Sequence, residues 1–544
     1  MLRKIIGLLL AALPIAFLVL TTGSPAASAH AVLESSDPLD GSRLTTIPAR
    51  VSLRFDEPVR IIAGGTKVVS TAGGRADTGR PIAGDGGRSV IITLDRGLAT
   101  QRATYLVSYR IVSADGHVVV GSIRFGVGQS PAAINQPVQT GAGPPGVIAA
   151  VGTGLGYAGL VGTIGCLAVA FLIWPSALRS TRLGPVTIGG PVLIMLGTVA
   201  QLVAATPAAD GTGWAGMLQP QNVPFTLITP QGRLLAVQFT LAAALLPLGH
   251  AIGPGRKAPE QDTMLRVCWG LAAVALMGAM AATGHGFAGA GRWYAWPATA
   301  VHLTAMAIWL GGVIDLLLVL RPRLATLPRT AGQVVDRWSR LAFGSIAALV
   351  LSGEVLAWRQ IQPIEALWQT PYGITLLIKL GLAAIAVIIG WTGSRVAAHH
   401  RDPARIGWML IMEMVIMALV VGAATVLSAT PAARDQYDPR ARLTAPFGDD
   451  RLEITIAGTR RGTQDITVIP VDRTGVAIPA HALTGRLSST QAGVAALDVR
   501  FRAVAGRWQS LDATAPLPGV WQLSLTVSGE SGPSYVTEVA YRVW

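Results

Sequence analysis

The sequence predicts a mixed chain. An exported β domain of small barrel or sandwich type comes first, then a polytopic α-helical membrane bundle of about eight spans, then a second exported β-sandwich. Three observations carry this. Of 544 residues, 51% are hydrophobic and only 13% are charged, with a mean hydropathy of +0.50; soluble domains run near about 25% charged. The apolar residues concentrate in eight stretches between 147 and 430, each of membrane-crossing length. Strand-like alternation flanks them on both sides. The composition excludes a disordered chain, a basic nucleic-acid-binding domain and a plain cytosolic enzyme.

Residues 1–29 open with Arg3 and Lys4, continue through an apolar run from Ile5 to Leu20, and end in Ala27-Ser28-Ala29. This is the pattern of a secretory signal with a small-residue cleavage site. Cleavage there makes His30 the mature N-terminus. Its α-amine and ring Nδ1 can then chelate one metal ion, and such nitrogen donors suit Cu(II). Residues 30–130 read as short strands: Val51 to Phe55, Ser89 to Leu94 and Ala103 to Ile111, with Gly-rich turns between them. A Pro/Gly/Gln linker follows at 131–146.

The eight spans are expected near 147–174, 185–207, 232–252, 265–284, 296–320, 338–357, 372–394 and 406–429. An exported N-terminal domain makes the first span run inward. The predicted inner loops and helix ends then hold thirteen Arg or Lys and the outer ones three. That is the positive-inside asymmetry with the expected hand. The predicted location is therefore the cytoplasmic membrane, with both ends outside. The formal charge of +14 is mostly topological, because the membrane part alone contributes a net +8. It argues for lipid as the partner and against nucleic acid.

Residues 431–544 return to strand patterning in Leu452 to Ile456, Asp465 to Val471, Trp521 to Val527 and Tyr535 to Val543. This region has one His, no Cys and no Met, so it offers no metal constellation. Its expected role is to dock on the first domain or on a partner.

The segment Ser113-Ala114-Asp115-Gly116-His117 lies between two predicted strands, and Gly116 permits a turn that aims Asp115 and His117 at one point. It belongs to a set of three separated motifs: His30-Ala31-Val32-Leu33-Glu34, Phe55-Asp56-Glu57-Pro58, and Tyr109 to His117 with Gly121, Ser122 and Phe125 after it. This set resembles the CopC family of periplasmic copper proteins over residues 30 to about 128. The resemblance implies a Greek-key β-barrel with a Cu(II) site. Its ligands would be His30 through amine and ring, His117 through its ring, and Asp115 beside or on the metal. Three nitrogens and a carboxylate are a tetragonal Cu(II) donor set. No Met occurs between Met1 and Met195, which excludes a thioether Cu(I) site in this domain.

Ionisable residues inside a membrane are costly and mark functional candidates. His302 and Met306 share a face of span five, and His285 ends span four on the same outer side. These three form the expected membrane copper path, with thioether favouring Cu(I). The stretch His302 to Gly312, with Trp309, Gly311 and Gly312, resembles a pattern of the CopD family of eight-span copper-related membrane proteins. Tyr372-Gly373, Lys379 and Glu413 extend the resemblance, and a CopC-like domain fused to a CopD-like one is a known family arrangement. Lys379 and Glu413, on successive helices, are expected to form an intramembrane ion pair. Asp315 is expected to reach the inner interface. Cys166 and Cys268 lie deep in spans one and four, where buried thiols are usually inert.

The predicted function is copper binding outside and copper import across the membrane, with no enzymatic activity. Cu(II) in the exported domain and Cu(I) in the membrane domain are the expected ions, with an exported copper donor or reductase as a further partner. No Walker motif appears, so transport would not be driven by ATP hydrolysis on this chain. Two alternatives stay open on sequence alone. One is a sequestering or delivery protein without conduction. The other is a b-type haem or quinol redox protein using the His285–His302 pair.

Overall fold

The computed structural model describes residues 31–131 and 143–544, apart from 32, 71–74, 96, 98–101, 114–117, 130, 211–212, 221, 228, 253–262, 284–291, 321–327, 400–402, 512, 516 and 529–533. The chain divides into two compact units. One contains the membrane helices, and the other contains both β regions.

Among the described residues the N-terminal β region has eight strands: β1 (Leu33–Asp37), β2 (Arg43–Leu44), β3 (Arg50–Phe55), β4 (Arg60–Ser70), β5 (Ile82–Gly84), β6 (Ser89–Thr93), β7 (Ala103–Val112) and β8 (Val118–Val127). They form two four-stranded sheets ordered β1-β3-β6-β5 and β2-β8-β7-β4. Strand β3 shows why the sequence folds this way. Val51, Leu53 and Phe55 are each 0% exposed, while Arg50 and Arg54 between them face out. Period-two alternation puts one face of a strand in the core. The predicted strands at Val51–Phe55, Ser89–Leu94 and Ala103–Ile111 are all present. Across the β7–β8 ladder Tyr105 stacks on Phe125 with ring centroids 5.2 Å apart.

One buried carboxylate organises the β4 edge. Asp77 accepts hydrogen bonds from the backbone N–H of Val68 at 2.7 Å and of Gly79 at 2.8 Å, and from Arg75 Nη2 at 2.9 Å. Burial alone would raise its pKa, but Arg75 and the two N–H donors more than offset this and hold it below the usual value. A folded pKa below the unfolded one stabilises the fold above the unfolded value, about pH 3.9. That contribution is lost as pH falls through the folded value. Asp77→Asn is expected to lower stability by about 2 kcal/mol at pH 7. Chemical denaturation across pH checks this: the gap to wild type should shrink below about pH 4, and a gap constant with pH would count against it.

The C-terminal β region contributes β9 (Ala441–Phe447), β10 (Asp450–Ile456), β11 (Gly462–Thr463), β12 (Ile466–Val471), β13 (Ala482–Ser489), β14 (Val494–Val504), β15 (Arg507–Ser510), β16 (Thr514–Ala515), β17 (Gly519–Ser528) and β18 (Ser534–Val543). Its main sheet has eight strands in the order β18-β17-β13-β14-β15-β12-β10-β9. The edge strands β18 and β9 approach each other, so the sheet curls into a nearly closed barrel around Trp521, Leu523, Leu525 and Val527. The predicted sandwich is thus one sheet rolled on itself. Closure covers edge N–H and C=O groups that an open sheet would expose.

The two β regions dock on each other. Arg461 Nη2 lies 3.3 Å from Asp56 Oδ2, Thr463 Oγ1 donates to Asp40 Oδ2 at 3.1 Å, and Arg500 Nη2 donates to the Gly41 carbonyl at 2.9 Å. Of the two expected roles for residues 431–544, docking on the first domain is the one the structure shows.

In the other unit, eight helices among the described residues are long and apolar enough to cross a membrane. Spans one to eight are Gly143–Ile173, Thr181–Ala208, Pro230–Ala251, Thr263–Ala281, Trp293–Leu320, Gly332–Gln360, Pro371–Arg395 and Arg405–Ala429. Each coincides with a predicted stretch. Spans one and two pack through glycine: a Cβ added at Gly152 would stand 2.6 Å from the Gly197 carbonyl oxygen. Small residues let helix backbones approach closely where lipid gives no hydrophobic drive to associate. Spans one and five meet the same way at Gly165 and Gly311, where an added Cβ on either residue would overlap the opposite backbone.

Candidate metal centre

The three residues expected to bind Cu(II), His30, Asp115 and His117, lie outside the described residues. The structure shows the frame that carries them. Ala31, next in chain after His30, is 2% exposed and belongs to the first β core. The β7–β8 ladder runs to its last pair at Val112 and Val118, so the stretch holding Asp115 and His117 connects two paired strands. Ser113, where that connection begins, is buried. The Phe55 and Tyr109 rings pack edge to face at 5.6 Å. Burial, with Asp40 adding to it and Arg460 opposing, pushes the Tyr109 hydroxyl up to about 12. Tyr109 is therefore a neutral phenol at neutral pH and does not compete as a phenolate ligand. Among the described residues no three His, Cys, Asp or Glu side chains cluster closely enough to hold a metal.

In the membrane unit His302 is placed with clear chemistry. Its Nδ1 is 3.0 Å from Ser352 Oγ on span six. Ser352 Oγ in turn donates to the Ala348 carbonyl, so the hydroxyl proton is already committed. His302 Nδ1 is then the donor, and Nε2 keeps its lone pair. This is the usual way a hydrogen bond on one ring nitrogen prepares the other for a metal. Met306 is one turn further along span five and is 9% exposed. His285 lies outside the described residues. Ser352 carries no charge, imidazole or sulfur, so residue type alone does not single it out. The signal was available in Leu351-Ser352-Gly353, a hydroxyl beside a glycine on the neighbouring span.

The structure does not bring Lys379 and Glu413 together, and among the described residues no ion pair joins them. Glu413 packs against Gly390 of span seven, its Oε1 2.8 Å from where a Cβ would be. Gly390 is eleven residues beyond Lys379, roughly 16 Å along a helix at 1.5 Å per residue. Glu413 instead borders a cavity of about 520 Å³ walled by Trp309, Trp338, Trp391 and Met409. Lys379 acts electrostatically on His302. Asp315, expected at the interface, is only 1% exposed.

Comparison with known proteins follows this division. The CopC domain family matches residues 33–128, and the family described as Copper resistance protein D (CopD) matches residues 332–427. The second match covers spans six to eight, so His302 to Gly312 lies ahead of it. Over 373 residues the chain is 28% identical to the Copper transport protein CutJ of Bacillus subtilis (strain 168), a match covering 66% of this chain and 67% of that protein. CopC from Methylosinus trichosporium OB3b, a crystal structure, matches at 22% identity, covering 20% of this chain and 100% of that chain with a TM-score of 0.15. PcoC from Escherichia coli, titled a methionine-rich copper resistance protein, matches at 28% identity over 18% of this chain and 99% of that chain with a TM-score of 0.16. The chain thus joins a CopC domain and a CopD domain in one polypeptide.

Proposed function

We propose that this protein imports copper across the cytoplasmic membrane. Copper binding and copper-related transport or resistance follow from the two domains and from the likeness to a copper transport protein. The direction is our reading. In it Cu(II) binds outside at His30, Asp115 and His117, takes one electron from an exported reductase, and enters the bundle near His285, His302 and Met306 as Cu(I). Eight spans with thirteen inner against three outer basic residues support a topology with both β regions outside. The chain acts as a carrier or channel and not as an enzyme. The observation that carries the reading is the bond between His302 Nδ1 and Ser352, which orients the ring on the face that also bears Met306.

The test measures cytosolic copper by mass spectrometry in cells expressing wild type or His302→Ala at equal membrane levels. Wild type should raise cytosolic copper, and the variant should lose most of that rise, about fivefold or more, as expected when a pathway ligand is removed. Equal cytosolic copper in the two strains would leave a sequestering or delivery protein as the better reading.

A further inference from the structure

Among the described residues two π-helical turns interrupt the bundle, at Val161–Gly165 in span one and Leu316–Leu320 in span five. Such turns are rare and tend to occur at functional sites. The first ends immediately before Cys166, and the second begins immediately after Asp315. Cys166 is 0% exposed and Asp315 is 1% exposed. The Cys166 thiol donates to the Gly311 carbonyl at 3.5 Å. Asp315, one turn beyond Gly311, faces the same thiol. Among the described residues the Cys166 thiol is the one donor set against Asp315, and no other group bonds its oxygens. A carboxyl group with so little hydrogen bonding in the membrane interior is expensive. Helix packing alone gives no reason to keep one there beside a thiol.

We propose that Cys166 and Asp315 form a Cu(I) site in the core of the bundle, with the Cys166 sulfur as main ligand and Asp315 as its oxygen partner. The inference rests on the copper-transport reading above. Thiolate is a soft ligand and selects Cu(I) over hard ions. On binding, the S–H bond breaks, a Cu–S bond forms, and the proton passes to an Asp315 oxygen; no electron moves. The pair then goes from one negative charge to none. A monovalent ion is accommodated without net charge in the apolar core, whereas a divalent ion would leave one positive charge there. One strong ligand with weak oxygens beside it keeps the ion exchangeable, as conduction requires. Asp315 is thirteen residues beyond His302 on the same helix, roughly 20 Å further along. Span five would thus carry two successive stations.

The test uses the full-length protein in detergent, loaded anaerobically with Cu(I) and competed with a chromogenic Cu(I) chelator. Wild type should hold one Cu(I) equivalent more than Cys166→Ser. Asp315→Asn should weaken that equivalent by about tenfold or more. Should either variant fold poorly, a Cys268→Ser chain keeps Cys166 as its single thiol. Cu(I) should then slow alkylation of Cys166 by N-ethylmaleimide about tenfold. Equal Cu(I) stoichiometry and affinity in wild type and Cys166→Ser, or alkylation indifferent to Cu(I), overturns the site. A Cys166-dependent Cu(I) equivalent in a protein that fails to raise cytosolic copper would support the site and remove the transport reading.

Discussion

Replacing Gly311 with leucine is expected to prevent the membrane bundle from assembling. Gly311 lies directly on the backbone of span one at Gly165 and Cys166, where even a single added carbon would overlap backbone atoms. A flexible side chain could move aside, but a main chain inside a helix cannot without shifting the whole span. Inserting bulk into a packed core costs about 1–3 kcal/mol and at times more. This position belongs at the upper end, because the obstruction is backbone and because separating the spans also removes the bond from Cys166 to the Gly311 carbonyl. Yield and monodispersity in detergent, with thermal melting of whatever folds, measure the effect. Gly381→Ala and Gly422→Ala are the controls, since nothing lies within 4 Å of an added Cβ at either. A Gly311→Leu protein that melts with wild type would refute the close approach of spans one and five.

The second large effect is expected at the exported domain. His117→Ala should weaken Cu(II) binding by about 100-fold or more, since loss of an outer-shell partner alone can cost 10–100-fold and His117 is read as a direct ligand. Electron paramagnetic resonance of the mature full chain is the direct measurement. Wild type should show a tetragonal, nitrogen-rich Cu(II) signal, and the variant should lose nitrogen coupling. N-terminal sequencing belongs with it. A mature chain starting anywhere but His30 removes the amine ligand, and with it most of the expected affinity. Unchanged Cu(II) binding in His117→Ala would place the site elsewhere.

How much of this was legible before folding depends on the range of the interaction. The spans could be read because crossing a membrane requires about 20 consecutive apolar residues, a local property of sequence. Strands such as Val51 to Phe55 could be read because burial of one face imposes period two. The Lys379–Glu413 pairing was a different kind of inference and did not hold. The two residues sit on adjacent helices, but those helices are antiparallel. Lys379 is near the start of span seven and Glu413 near the start of span eight, so their depths are opposed. Counting residues from each span end contained that information, whereas opposite charge alone did not. Asp315 was misplaced for a related reason. Distance from a helix end suggested the interface, but the packing of spans one and five buried it.

By itself the sequence determined the order of the parts, the eight spans, the strands and the ligand types the exported domain can offer. Each of these is set by residues near one another in the chain or by residues that are absent from it. The tertiary structure alone decided that the C-terminal sheet closes nearly into a barrel and docks on the first β region through Arg461, Thr463 and Arg500. It likewise decided which hydroxyl orients the His302 ring and which acid lies beside Cys166. Those outcomes depend on side chains tens to hundreds of residues apart meeting at contact distance. Their cause is packing complementarity between whole elements, which periodicity and composition do not encode.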